Sequence, residues 1–230
     1  MHLAFLALAA AVLFPAVSAQ TAPDAGAMRP GDAALDLSWL TGDTANYTLR
    51  LVEPMQMDVG TATVARTVAD GVVTSVQTIS VPQQGTNMTQ TSRAAAGTLA
   101  PMSQSMSGQG TAELAFTPTV VTGTKDGAPV SVALDAPVFD SSWSGEVAQS
   151  LPFAEGYTAA IAAYDATHGL STIRYTVTGQ QTVAGAPAWA VEVVSPAGTV
   201  TYLIDGATRQ MVLMRMSPQP GLVVEMQRQP

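Results

Sequence analysis

The chain of 230 residues contains no cysteine and only two histidines. Disulfide bonds are therefore excluded, and the stability of the fold has to come from burial of apolar side chains. A zinc site needs several cysteine or histidine ligands, which this sequence does not offer. The aspartates stand mostly singly and often precede glycine in turns, unlike the clustered oxygen ligands of a calcium site. We therefore predict no metal and no other cofactor.

Charged side chains are also scarce, at 11% of the residues, and they leave a formal net charge of −8. Lys125 is the only lysine. Nucleic-acid binding requires a basic surface, and electrostatic attraction to anionic lipid headgroups requires one too. The composition thus excludes nucleic acid as a partner and argues against docking on a membrane by charge.

No apolar run is long enough to cross a bilayer, because residues 3–14 fall well short of the roughly 20 residues that a spanning helix needs. This short run is followed by AVSA at residues 16–19, which resembles the cleavage site of a secretory signal peptide. We expect residues 1–19 to be a signal peptide cleaved near Ala19, and the mature protein to be periplasmic or secreted. Residues 20–34 are predicted to be a linker, and residues 35–230 a single β-rich domain.

Apolar and polar side chains alternate along most of the chain, which indicates strands with one packed face. Residues 186–216 give the clearest example, since three strands follow one another there and Ser195–Gly198 and Asp205-Gly206 supply the turns. Asp70-Gly71 is a strong hairpin signal within residues 61–81. The regular spacing predicts a mainly β protein, an antiparallel meander of about a dozen strands.

Two segments interrupt the alternation. Residues 141–151 predict a short helix, because Trp143, Val147 and Leu151 share one face, with Asp140 or Ser141 as the cap. Glu146 is then expected on the outer face of that helix. Residues 157–165 fit a helix face and a strand face equally well, and their periodicity does not decide between the two.

Three segments together resemble a known family: TLAPMSQSM at residues 98–106, APVFDSSWSGEVAQSLPFAEGY at residues 136–157, and the run from residue 175 to residue 215. The family consists of exported bacterial proteins of unknown function, with a sheet similar to that of the periplasmic lipoprotein-localisation carriers. The resemblance implies a strongly curved antiparallel sheet, a half-open barrel covered by one or two short helices. It also implies that residues 157–165 form a strand, and it brings no catalytic residues.

The sequence contains few features that are typical of a catalytic site. A catalytic histidine needs an orienting carboxylate and a nucleophile or a substrate proton within reach. His168 has Asp165 nearby in sequence, but the chain lacks a Gly-x-Ser-x-Gly elbow. None of the carboxylates is expected to be buried enough for a raised pKa. We predict that the protein is not an enzyme; an enzyme using Asp140 and His168 is the alternative that a His168→Ala variant would test.

Methionine is the one residue type whose placement suggests a function. It is a flexible, polarizable side chain that recurs on surfaces accepting varied apolar partners. In a curved sheet with a helical lid, such side chains would line an apolar cavity, although they would equally well fill an ordinary core. The candidate ligand-binding residues are Met102, Met106, Trp143, Trp189, Tyr202, Met211, Met214 and Met216.

The sequence therefore predicts an exported, non-enzymatic binding module that holds an apolar ligand, such as an acyl chain or a lipidated peptide. The alternative is a protein-interaction or scaffold module beside an exported enzyme. That alternative depends on the Thr- and Gln-rich strands at residues 74–92, which could leave a sheet edge for a partner to extend.

Overall fold

The computed structural model describes residues 26–108 and 110–230. The predicted signal peptide lies outside the described residues, as does the first part of the predicted linker. The elements, in chain order, are β1 (Asp43–Glu53), β2 (Met57–Ala69), β3 (Val72–Val81), β4 (Thr86–Ala95), β5 (Pro101–Ser107), β6 (Ala112–Phe116), β7 (Val120–Lys125), β8 (Ala128–Ala133), β9 (Phe139–Asp140), α1 (Ser144–Ser150), β10 (Thr158–Asp165), β11 (Gly169–Val183), β12 (Ala186–Ser195), β13 (Gly198–Ile204), β14 (Met211–Gln219) and β15 (Leu222–Arg228).

All these strands belong to one sheet of 15 strands. Its order is β8-β7-β6-β5-β4-β3-β2-β1-β15-β14-β13-β12-β11-β10-β9, so each half is a meander and β1 pairs with β15 where the halves join. Pairing is antiparallel except between β9 and β10. The predicted mainly β, antiparallel fold is confirmed. The expected count of about a dozen is wrong, partly because a two-residue strand such as β9 leaves no periodic pattern.

The sheet is strongly curved. The rings of Phe116 in β6 and Tyr164 in β10 meet edge to face, with centroids 6.1 Å apart. These two strands stand eleven places apart in the sheet order, and in a flat sheet that spacing would separate them by about 50 Å. The concave face therefore curls until distant strands pack on each other. The sheet stays open, with β8 and β9 at its edges.

Bulges and strand glycines permit this curvature. The register shifts in several strand pairs, including β1 with β2, β4 with β5, and β13 with β14. Gly60 lies at the first of these shifts, opposite Leu49. A Cβ atom at this position would collide with the carbonyl oxygen of Ser80 on β3. Glycine at residue 60 thus lets two backbones approach where the sheet bends.

The predicted helix begins with a 3₁₀ turn, Ser141–Trp143, and continues as α1. Asp140 caps the turn, because its side chain accepts a hydrogen bond of 2.9 Å from the backbone N–H of Ser142. Trp143, Val147 and Leu151 are fully buried, as expected. The expected outward position of Glu146 is wrong: this residue is 7% exposed. The helix lies inside the curl of the sheet, so its polar face is enclosed as well.

Residues 157–165 prove to be a strand, as the family resemblance implies. β10 pairs antiparallel with β11, and Ile161, Ala162 and Ala163 are fully buried. The residues before β1 also pack on the sheet, since the N–H of Met28 donates to the carbonyl of Ala160 at 2.7 Å.

The bulge in β14 decides which of its side chains face inward. Met214 pairs with Tyr202, and Met211 pairs with Ile204 after the register shift. Tyr202 and Ile204 belong to the main core, so both methionines face the concave side. Leu213 pairs with Leu203 in a separate small cluster that also contains Ala188 and Ala190. Alternation alone would have placed Met211 beside Leu213.

Candidate functional site

A cleft of about 170 Å³ opens between the 3₁₀ turn, the β10–β11 turn and the β12–β13 hairpin. Ile173, Val193, Val200 and Tyr202 form its apolar floor. The first two are buried inner-face residues of β11 and β12, and Val200 is their half-buried neighbour on β13. The cleft thus arises where the inner face of the sheet extends beyond the N-terminal end of the helical segment.

The rim of this cleft is polar and is organised by Asp165. One carboxylate oxygen of Asp165 accepts from the Ser141 hydroxyl at 2.7 Å. The other accepts from the backbone N–H groups of Thr167 and His168, and it lies 3.0 Å from Nδ1 of His168. Burial opposes the charge of Asp165, but these hydrogen bonds outweigh it and lower its pKa.

Ser141 is not arranged as a nucleophile with His168 as its base. A serine nucleophile would donate its proton to the histidine, whereas the Ser141 hydroxyl donates to Asp165. The same carboxylate binds the backbone of the β10–β11 turn, so it acts as the anchor of that turn.

Asp140, the other carboxylate considered from the sequence, directly precedes the cleft residue Ser141 and is completely buried. Burial raises its pKa to about 7, although the hydrogen bond from Ser142 opposes this shift. Its Oδ2 atom has no hydrogen-bond partner among the described residues. The expectation that every carboxylate would be too exposed for a raised pKa is therefore wrong, because the curled sheet encloses the capping residue.

A second cavity, of about 90 Å³, lies between α1 and the inner faces of β1 to β3 and β13 to β15. Its wall is half apolar, with Val64, Met211, Met214 and Met226, and half polar. Tyr202 lines both this inner cavity and the cleft, so its ring lies between the two.

A buried ion pair forms part of the polar wall of the inner cavity. Nε of Arg66 lies 3.1 Å from Glu146, and Nη1 lies 3.1 Å from Asp43. The guanidinium carbon also stands 5.5 Å from the ring centre of Trp39. Arg66 and Glu146 are each 7% exposed, and removing water from both is costly unless they remain paired. Alternation in β2 puts residue 66 on the same face as Val64, but no local pattern shows that this guanidinium is buried or that its partner is Glu146 on the helix.

The structure brings half of the eight candidate ligand-binding residues together. Tyr202, Met211 and Met214 line the inner cavity, and Trp143 is buried in the same core. Of the remaining four, Trp189 packs against the edge of the same core, and the other three lie outside both the core and the cavities.

Trp189 stacks on Phe153, with ring centres 5.8 Å apart. Met216 pairs with Val200 and is half-buried. Met102 and Met106 lie on β5, which contributes nothing to the wall of either cavity; Met102 is 42% exposed and occupies a register shift. The role of these eight residues in binding stays a prediction.

Sequence reasoning missed most of the cleft. For its floor residues Ile173, Val193 and Val200, alternation predicts only that each lies on the apolar face of its strand. Alternation does not show which inward-facing strand residues the helix leaves uncovered, because that depends on where the helix packs on the sheet.

Within residues 26–108 and 110–230, no group of three or more His, Cys, Asp or Glu side chains is placed to hold a metal ion. The same part of the chain contains no helix with the length and apolar character needed to cross a membrane.

The fold defines the class of protein: in the part of the chain that the structure describes, one open, strongly curled and mainly antiparallel sheet surrounds one short α-helix. The chain belongs to the family described as "Protein of unknown function (DUF3108)", whose model matches residues 45–227. The similarity to lipoprotein-localisation carriers stays a prediction.

Among solved structures, the chain is similar to a beta-barrel-like protein of the domain of unknown function DUF1849 from Brucella abortus. The TM-score is 0.55 at 11% identity, with 83% of this chain and 96% of that chain covered. At this identity the likeness shows the fold alone. No curated protein matches the sequence.

Proposed function

We propose that the protein is a non-enzymatic binding module that acts after export and holds an apolar segment of its ligand in the cleft above Tyr202. The observation that carries this proposal is the apolar floor of Ile173, Val193, Val200 and Tyr202 at the bottom of an open cleft, which continues the hydrophobic core of the sheet. Ligand sites are typically apolar concavities with a few polar groups at the edge, and the rim around Asp165 supplies those groups. The periplasm is the compartment that the predicted signal peptide favours.

The size of the cleft limits what enters it. A cavity of about 150 Å³ is sufficient for a six-carbon ring, so a cleft of about 170 Å³ accepts about six carbon atoms. The end of an acyl chain fits this description, either as a free lipid or on a lipid-modified peptide. At about 0.8 kcal/mol for each buried methylene, such a segment contributes about 4–5 kcal/mol before the costs of binding. Binding by the cleft alone should therefore be weak, with the rest of the ligand outside.

Uptake of a fluorescent fatty-acid analogue tests the proposal, together with organic extraction of the protein purified from its host. Ala197 lies in the β12–β13 turn, is exposed and lines the cleft. Because its side chain is at the mouth, an Ala197→Trp variant should fold normally and block entry. We expect at least a tenfold loss of analogue binding in this variant.

Ala207→Trp is the matched control, since Ala207 is also exposed in a turn between neighbouring strands but lines neither cavity. It should bind the analogue as the unmodified protein does. Absence of both a co-purifying lipid and analogue uptake would reject the proposal, and so would equal binding by the two tryptophan variants.

A second candidate, the protein-interaction module, has one observation in its favour. β3 and β4, the strands expected to leave a free edge, are paired on both sides and offer none. Within residues 26–108 and 110–230, the longer of the two edge strands is β8, which pairs with β7 alone. An exported partner could add a strand there. A Val132→Pro variant should then lose a partner captured from periplasmic extract, whereas Val130→Thr should retain it; retention by both variants would exclude pairing at this edge.

A further inference from the structure

Tyr202 is the one side chain, among the described residues, that lines both the cleft and the inner cavity. On the sheet, the boundary between the two spaces falls at this residue. Val200, two residues earlier on the same face of β13, lines the cleft. Met214, the register partner of Tyr202 on β14, lines the inner cavity. The cleft and the inner cavity are therefore adjacent, and Tyr202 stands where they meet.

The boundary also falls between two neighbouring residues of the helix that covers the ring. Ser144 lines the cleft, and the next residue, Gly145, lines the inner cavity. The hydroxyl oxygen of Tyr202 lies 3.4 Å from that of Ser144, and a Cβ atom added at Gly145 would lie 3.6 Å from the Tyr202 ring. The tyrosine side chain thus reaches from the sheet to the helix and separates the two spaces.

The far side of this partition can receive further carbon atoms. Met211, Met214 and Met226 line the inner cavity, and methionine side chains adapt readily to apolar partners. If about 150 Å³ holds six carbon atoms, the volume of about 90 Å³ holds about four. The opposite wall, with Arg66 and Glu146, is polar, so a chain in this cavity would gain apolar contacts on one side.

We propose that Tyr202 determines the length of the apolar chain that the protein accepts, because its ring closes the inner end of the cleft at about six carbons. The inference rests on the function proposed for the cleft and adds a specificity-determining residue to it. Tyr202 is 8% exposed and belongs to the main core. Close packing therefore holds the ring in place in addition to its long contact with Ser144.

A Tyr202→Val variant tests this proposal, since valine suits a strand but is too short to reach the helix. Binding of hexanoate and of decanoate is measured by displacement of the fluorescent fatty-acid analogue. In the unmodified protein, the longer chain should bind no more tightly than the shorter one. In the variant, about two of the added methylenes should contact the methionine side, and at about fourfold for each we expect decanoate to bind at least tenfold more tightly.

Tyr164→Val is the matched control, because Tyr164 is also a buried strand tyrosine but lies in a separate hydrophobic cluster and lines neither space. It should bind the two alkanoates equally. Equal binding of both by Tyr202→Val, or the same gain in Tyr164→Val, would overturn the assignment of Tyr202. Absence of displacement in the unmodified protein would reject the function proposed for the cleft, and this inference with it.

Methyl NMR of the unmodified protein with ¹³C-labelled methionine gives a test that does not depend on the folding of a variant. Met211 and Met226 report on the inner cavity, whereas Met55 is 54% exposed and reports nonspecific effects. Saturating decanoate should leave the methyl signals of Met211 and Met226 where hexanoate leaves them. Saturable shifts of these two methyls with decanoate alone, without a shift of Met55, would show that the chain passes Tyr202 and would overturn the proposal.

Discussion

At the scale of single residues, the buried capping carboxylate makes stability depend on pH. The pKa of Asp140 is about 7 in the folded state, against about 3.9 for an unfolded aspartate. Between these values the folded chain holds a proton that the unfolded chain has released. Stability should therefore increase as the pH falls from 7 towards 5, by about 1.4 kcal/mol for each unit.

Urea unfolding between pH 5 and pH 8 checks this expectation against an Asp140→Asn variant. The amide keeps an oxygen for the Ser142 N–H but does not titrate, so the increase should disappear. The lowered pKa of Asp165 gives a separate, opposite effect, a loss of stability only below about pH 4. Parallel curves for the two proteins between pH 5 and pH 7 would contradict the assignment.

The buried ion pair provides a second prediction at this scale. Arg66→Met leaves the carboxylates of Glu146 and Asp43 without their cation, so the free energy of unfolding should fall by about 3–5 kcal/mol. Arg50→Met is the control, because the Arg50–Asp58 pair has side chains 42% and 59% exposed and should contribute less than about 1 kcal/mol. Equal losses in urea unfolding would show that Arg66 is not effectively buried.

At the scale of elements, the bend of the sheet depends on close approach of β2 and β3. Gly60→Ala would push a Cβ atom into the carbonyl of Ser80, and we expect a loss of about 1–3 kcal/mol from this overpacking. Gly97→Ala is the control, since no heavy atom lies within 4 Å of an added Cβ there. Thermal unfolding of the two variants makes the comparison; a Gly60→Ala protein as stable as the control would contradict this account of the curvature.

The strands and the helix also show which structural features local sequence patterns predict and which they do not. Alternation located most of the strands, although not β9 or β10, and the i, i+4, i+8 spacing located the helix, because each of these patterns depends on neighbouring residues. The faces of β14 were not predictable, since the shift between Leu203 and Ile204 reverses the alternation without a sequence signal. Residues 157–165 were ambiguous for a related reason: alanine favours a helix, and only pairing with β11 makes them a strand.

At the scale of the whole molecule, the features that the sequence patterns did not predict are those created by the curling of the sheet. It encloses Asp140 and Glu146, which local rules assigned to a cap and to a wet helix face. It also brings β6 against β10 and leaves the cleft open at the N-terminal end of the helical segment. These contacts join residues far apart in the chain, so the candidate site could not be assembled from local spacing. Only Tyr202 among the eight candidates lines that cleft.

The central claim is that this cleft binds the end of an apolar chain, and titration with straight-chain alkanoates of increasing length tests it most directly. Affinity, measured by displacement of the fluorescent analogue, should rise about fourfold for each added methylene. The rise should stop near six carbons, where the volume of about 170 Å³ is filled, and it should be absent in Ala197→Trp. A complete lack of displacement, or a rise that continues unchanged to twelve carbons, would contradict the account.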